Sequence, residues 1–246
     1  GNALPAEQYF NYTFRKAFRE MINPGFAVDL KTAYVYSSSY DPGEGWSSRD
    51  IYAGTPRTES IGDLAVYAGG PAAILSVTAS GNTFTARTLQ VSVNGTALIN
   101  DPLNYFAAST RTANFASSVL GRPGGDQITL GSTTADPRLV DRMVVASYSI
   151  TYPRRFDFGG AKQFNFQLGA NPAGMYIEIA NFNAGSSAPV LFDLTNRQRY
   201  IGNVSGGLVR FALRPSTQPR QMVLLNNEVT EIKTVNGLQI RNFVDY

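Results

Sequence analysis

The sequence predicts an all-β protein, a β-sandwich preceded by a short N-terminal helix or irregular lead-in. Three observations carry this reading. The composition is turn-rich and aromatic, with 23 Gly, 13 Pro, 13 Tyr and 15 Phe in 246 residues, a balance that favours strands and turns over helices or disorder. From about residue 61 onward apolar residues recur at every second position, with clusters of turn residues between the runs, as two packed antiparallel sheets require. Asn94-Gly95, set between two such runs, is the strongest two-residue hairpin signal, because both residues tolerate positive φ.

The elements follow in chain order. "PAEQYFNYTFRKAFREMI", residues 5–22, places Phe10, Phe14, Ala17, Phe18 and Met21 at three- and four-residue spacing, which predicts an amphipathic helix. Asn23-Pro24-Gly25 stops it, although Tyr9 to Phe14 also alternates. Residues 25–60 read as a loop-heavy lead-in with one strand at 32–37 and the single tryptophan, Trp46. In "AAILSVTAS" the residues Ala73, Leu75, Val77 and Ala79 share one face, and in "TLQVSVNGTALI" Leu89, Val91 and Val93 point inward. Further strands are expected at 126–131, 143–152, 163–168, 174–180, 189–194, 208–213 and 221–225. In 143–152 alternation puts Val144, Ala146, Tyr148, Ile150 and Tyr152 on the apolar face. Pro153 is expected to end that strand, because it cannot donate to a ladder, and Gly159-Gly160 to make the reversal into the next. The domain reading is a lead-in over 1–60, a sandwich over 61–226, and a linker over 227–246 toward a missing C-terminal domain.

Composition also removes chemistry. With no Cys and no His, the reagents for Ser–His and Cys–His nucleophiles and for Cys/His zinc sites are lacking. The net charge of +3 is spread along the chain, which is not the basic cluster of a nucleic-acid binder. No apolar run reaches the ~18 residues of a membrane span, so the chain is expected not to span a membrane and, if exported, to have lost its leader. A cysteine-free chain suits either the cytosol or a bacterial envelope protein.

Two places could hold a ligand. Trp46 in "DPGEGWSSRD", with Arg49 and Asp50 nearby, offers a flat ring beside polar groups, suited to a sugar or a peptide; the structural alternative is a tryptophan that plugs the sandwich edge. Tyr152-Pro153-Arg154-Arg155 offers forked donors and a stacking face for a partner or anion. The structural alternative there is a corner whose arginines cover apolar surface, and strand phase splays Arg154 from Arg155. Carboxylate catalysis needs two facing acids, and Asp126, Asp136, Asp141, Asp157, Glu178 and Asp193 are dispersed. No cofactor is expected. "DPGEGWSSRD" and "TTADPRLVD" supply oxygen ligands for calcium but match no defined loop. "GRPGGD" and "YAGGP" precede no helix pattern, which argues against a phosphate loop.

The order of several pieces resembles a known family. The Tyr/Phe-rich "NYTF", the "GEGW" segment, "SITYPRRFDFGGAKQFNF", "PVLFDLTN", "VRFALRP" and the exit "NGLQIRNFVDY" are similar to the region upstream of the peptidase domain in gingipain-like C25 cysteine peptidases, above all the PorU-type sortases of the type IX secretion system. The resemblance covers about 30–246 and rests on short, degenerate motifs. It implies a jelly-roll-like, non-catalytic β-domain of a secreted or cell-surface protein of the Bacteroidetes envelope. Its partners would be the downstream peptidase domain of the same chain, secreted protein substrates, or other secretion components. That family's catalytic His and Cys lie beyond the exit, so no peptidase activity is carried to any position here. The resemblance further implies an exposed apolar patch at Leu238, Ile240 and Phe243, where the missing domain would pack. A reading from a different class is an independent carbohydrate-binding or adhesin-like sandwich, for which Trp46, Tyr52, Tyr67 and Tyr176 are the aromatics that could form a platform.

Overall fold

A computed structural model describes residues 4–23, 26–29, 33–36, 38–134 and 140–228, with Thr230, Lys233 and Gly237 beyond them. The chain is all-β and forms two compact units, one running from Gln8 to Arg155 and the other from Phe156 onward together with the first residues up to Glu7. The division therefore lies at Arg155/Phe156, inside the 61–226 stretch that the sequence reading treats as one domain. Among the described residues no helix is long and apolar enough to cross a membrane.

Beside the short strands Met21–Ile22, Phe26–Asp29, Ala33–Tyr36, Trp46–Ser47 and Ile51–Tyr52, the first unit is built on a jelly roll of eight longer strands. Its strands are β1 (Phe10–Ala17), β2 (Arg57–Gly62), β3 (Ala73–Gly81), β4 (Arg87–Val93), β5 (Thr96–Pro102), β6 (Ala108–Phe115), β7 (Asp126–Thr134) and β8 (Arg142–Arg154). One sheet has the order β1-β8-β3-β6 and the other β5-β4-β7-β2, so successive strands, the β4–β5 hairpin apart, cross between sheets as a double Greek key does. A single apolar cluster fills the space between the sheets, with Leu75, Val77, Tyr148, Ile150 and Tyr152 from the first and Leu89, Val91, Val93, Ile128 and Leu130 from the second. The hairpin at Asn94-Gly95 forms as expected, with φ of 50° and 82°.

Residues 10–17 are a strand, which corrects the expected helix. They pair antiparallel with β8 from Phe10↔Arg154 to Ala17↔Ser147. The apolar positions Phe10, Phe14 and Phe18 recur every four residues, a spacing that satisfies both the helical period and the period of two. Tyr12 separates the two readings: it lies on the same face as Phe10 and Phe14 only in a strand, and there it packs against the core with its ring 6.1 Å from that of Tyr152. The strand is closed by a charged clasp to β2. Lys16 Nζ meets Glu59 at 2.9 Å, and Arg57 reaches Glu59 at 2.6 Å and Glu20 with two 2.6 Å hydrogen bonds, its guanidinium 5.0 Å from the Phe18 ring.

Strand β8 does not keep one phase. Its register against β3 shifts between Val145 and Ser147, so a bulge re-aims the side chains. Met143 and Val145 face the core before it, and Tyr148, Ile150 and Tyr152 after it. The expected inward positions Val144 and Ala146 are thus corrected, while Tyr148, Ile150 and Tyr152 stand. Pro153 does not end the strand, which runs one residue further to Arg154. At the bulge the neighbour of β8 also changes. The carbonyl of Ala146 accepts the Phe18 N–H at 2.9 Å, that of Val145 accepts the Ser48 N–H at 2.8 Å, and the short strand Ile51–Tyr52 then pairs with Met143 and Arg142.

The second unit has β9 (Asp157–Ala161), β10 (Gln163–Leu168), β11 (Met175–Phe182), β12 (Val190–Asp193), β13 (Gln198–Ile201), β14 (Asn203–Ser205), β15 (Leu208–Leu213) and β16 (Arg220–Leu225). They form two four-stranded sheets, β9-β11-β15-β14 and β10-β16-β12-β13. Phe158 of one sheet stacks on Phe164 of the other at 4.0 Å and meets Phe166 edge-on at 5.3 Å, a packing that adds to simple area burial. Gly159 and Gly160, expected to make the reversal, lie inside β9 at φ of 58° and 80°, where its pairing with β11 is irregular.

At one end of the jelly roll a guanidinium is fully enclosed. Arg87 donates to Asp141 at 2.7 Å and to the carbonyls of Thr83, Leu103 and Tyr105 at 3.0, 3.1 and 2.7 Å, so the buried charge is both paired and hydrogen-bonded. A Cβ on Gly81 would lie 1.8 Å from both Arg87 Nη1 and the Tyr105 carbonyl. Gly81→Ala is expected to lower the unfolding free energy by roughly 3–5 kcal/mol, the cost of stripping a buried charge of its partners. Urea denaturation of the variant beside the parent chain measures it.

Candidate functional site

The bulge in β8 leaves a groove of about 440 Å³ lined by Arg15, Ala17, Phe18, Arg19, Trp46 and the Pro42-Gly43-Glu44 turn, with Ala146 and Ser147 as its floor. Strand direction explains the placement. Alternation in β1 sends Tyr12 and Phe14 toward the core and Arg15 and Ala17 outward, while the turn approaches so closely that a Cβ on Gly43 would stand 2.9 Å from that of Ala146. Glu44, a non-glycine residue, is held at φ 52°, a backbone state that persists only where the surroundings fix it.

Trp46 pairs with Ile22 across a two-residue ladder and remains 38% exposed. Arg15 and Arg19, with no partner among the described residues, share its groove. Arg49 does not line the groove. It is exposed, and its backbone N–H donates to Glu20 at 3.1 Å. Asp50 turns away to Arg142 at 3.4 Å and accepts from Asn82 at 2.7 Å; Asn82 in turn accepts from the buried Tyr40 hydroxyl, whose pKa burial pushes up to about 12. The sequence reading missed Arg15 and Arg19, which share a face in a helix and a strand alike; what the sequence does not show is that Trp46 and the Pro42–Glu44 turn come to that face.

The Tyr-Pro-Arg-Arg corner resolves into two roles. Tyr152 is buried and donates its hydroxyl to the Leu64 carbonyl at 2.8 Å; burial holds its pKa up at about 12. Arg154 lies 5.1 Å from the Tyr12 ring and donates to the same carbonyl at 3.3 Å, so it is a packing residue. Arg155 is exposed and lines a second cavity of about 390 Å³ together with Arg122 of the Gly121–Gly125 turn. Leu238, Ile240 and Phe243 lie outside the described residues, and so does Asp136.

The other aromatics and acids disperse. Tyr52 is exposed beside Arg142, Tyr67 is stacked on Tyr9 at 5.3 Å, and Tyr176, in the second unit, donates to Glu178 at 3.2 Å. Glu178 also accepts from Arg210 at 2.8 Å, which holds its carboxyl below the usual range. Asp126 and Asp141 are fully enclosed and serve backbone and Arg87 donors, Asp157 accepts from Asn181, and Asp193 binds Asn196. Among the described residues no three acids gather where a metal ion would sit.

The clasp beside the groove gives a pH dependence. Hydrogen bonds from Arg57 depress the Glu20 carboxyl from 4.5 to about 2, and Lys16 and Arg57 together lower Glu59 against the opposing effect of its burial. A depressed carboxyl stabilises the fold above its unfolded pKa, and that contribution is lost as pH falls through the folded value. The clasp is part-exposed and salt-screened. Thermal melts are expected to show stability declining between about pH 5 and about pH 2, with a shallower decline in Glu20→Gln.

No protein-family model matches the sequence, and no curated protein matches it. Among solved structures, dimeric latent PorU from Porphyromonas gingivalis aligns over 92% of this chain and 21% of its own at TM-score 0.56 and 11% identity. The CBM51-2 and INT domains of Clostridium perfringens ZmpB align over 57% of this chain and 28% of theirs at TM-score 0.31 and 9% identity. A Paenibacillus cycloisomaltooligosaccharide glucanotransferase aligns over 86% of this chain and 45% of its own at TM-score 0.28 and 11% identity. The last two scores carry no argument. The first shows that the fold is similar to that of a segment making up about a fifth of the PorU chain.

Proposed function

We propose that the chain is a non-catalytic β-module of a larger PorU-like, gingipain-type C25 peptidase of the cell envelope, outer surface or secreted space. Its work is to support or dock the peptidase domain downstream and that domain's partners. The likeness to PorU over 92% of the chain, a span that takes in residues of both sandwiches, carries the reading. The residue inventory agrees with it, since a chain with no His and no Cys leaves cysteine-peptidase chemistry to another part of the parent protein. The Trp46 groove is the surface for docking: an exposed tryptophan beside two arginines with no partner among the described residues suits a polypeptide that brings an acidic or aromatic side chain. The deciding observation is the coding sequence after Tyr246. A buried hydrophobic strand followed by a His and a Cys is expected; a stop codon at that point overturns the reading.

The exposure of Trp46 in the same groove favours a second reading, a carbohydrate-binding or adhesin-like module, in which the ring stacks on a sugar face. Glycan-array binding that disappears in Trp46→Ala, with stability unchanged to within about 0.5 kcal/mol as for other exposed positions, would support that reading. Absence of binding to every glycan at high protein concentration would eliminate it.

A further inference from the structure

We propose that the cavity between the Gly121–Gly125 turn and the end of β8 is a binding site for a phosphate-class oxyanion, free or on a phosphorylated headgroup, held by Arg122 and Arg155. The site stands apart from the Trp46 groove and does not depend on the function proposed above. Arg122 and Arg155, both exposed, line one space of about 390 Å³ with Asp63 and Val66, and neither guanidinium has a partner among the described residues. Forked guanidinium donors suit a tetrahedral oxyanion.

The backbone of this cavity is built in advance. Fully buried Asp126 accepts the N–H of Gly121 at 3.0 Å, that of Arg122 at 3.2 Å and the Asn94 amide at 2.7 Å. On the other wall the Arg155 N–H is tied to the Ala65 carbonyl at 2.8 Å, and Asp63 accepts the Ala65 N–H at 2.8 Å while Ala65 sits at φ 51°. The turn N–H groups of Gly121 and Arg122 are therefore spent on Asp126. Recognition falls to the arginine side chains, and the turn is no phosphate loop of the helix-capping kind. Gly124 has open space where a Cβ would stand, which leaves the mouth clear. Asp63 keeps a second carboxylate oxygen at the rim. That oxygen can accept a hydrogen bond from a protonated phosphate oxygen, and sulfate at neutral pH has no such proton to offer.

Calorimetric titration with inorganic phosphate at low salt tests the site on the chain as it stands. One saturable site is expected, weakened roughly tenfold or more by Arg122→Ala or Arg155→Ala, as for loss of a charge-assisted hydrogen bond, and unchanged by Arg199→Ala. Thermal melts establish that the variants are folded, and Arg155→Lys is expected to restore part of the affinity. Co-sedimentation with phosphatidic acid vesicles against phosphatidylcholine vesicles separates the sources: retention on the former alone assigns a headgroup, and phosphate binding without retention assigns a soluble anion. Absence of saturable phosphate binding, or equal binding in folded Arg122→Ala and Arg155→Ala, overturns the proposal.

Discussion

The first sandwich depends on residues 10–17 lying along β8 in one register. That pairing covers the open edge of the longest strand and brings Tyr12, Phe14 and Phe18 against Tyr148 and Tyr152. It carries Lys16 to Glu59, so β1 is held to the opposite sheet as well as to its own. The register also ends where β8 bulges, and there the chain hands the edge of β8 from Phe18 to Ser48 and then to Ile51. The groove with Arg15, Arg19 and Trp46 exists because of that handover.

Much of this was legible in the sequence. Strands β3, β4 and the later runs alternate without ambiguity, and Asn94-Gly95 could hardly be anything but a hairpin. Arg154 packs on Tyr12, and Arg155, just past the end of β8, lines a cavity that Arg154 does not. Three features were hidden for physical reasons. A four-residue spacing of phenylalanines is common to helix and strand, so only Tyr12 could decide, and its burial depends on a partner strand more than 130 residues away. A bulge inserts one residue without leaving a compositional mark, so Met143-Val144-Val145-Ala146 gives no sign of where the phase changes. The companion of Arg155 was invisible for a similar reason: Arg122 reaches the same cavity only through the tertiary fold.

Each sandwich also encloses one arginine–aspartate pair among the described residues. In the first, Arg87 and Asp141 are 2.7 Å apart with both side chains fully buried, and in the second Arg220 and Asp193 are 3.7 Å apart, equally buried. Such pairs contribute little net stability relative to apolar packing, yet removing one partner is costly. Asp193 does a second task. It caps the turn after β12 by accepting from the Asn196 backbone at 2.9 Å and side chain at 2.8 Å, so the "FDLTN" stretch that resembles a family motif is here a turn locked to a buried charge. That stretch thus serves the fold, while Arg15 and Arg19 line one cavity and Arg122 and Arg155 the other, their guanidiniums without a partner among the described residues.

The pairing of β1 with β8 can be measured directly, because the chain has no native cysteine to confuse the result. Thr13 and Thr151 are opposite each other with their hydroxyl oxygens 2.9 Å apart, a cross-strand position where a disulfide fits. The double variant Thr13→Cys with Thr151→Cys should cross-link intramolecularly on mild oxidation, shown by intact mass and faster migration on a non-reducing gel, while Thr13→Cys with Ser147→Cys should not. A helix over residues 5–22 would leave the first pair uncoupled, and failure of that pair to cross-link in the folded protein would contradict the account.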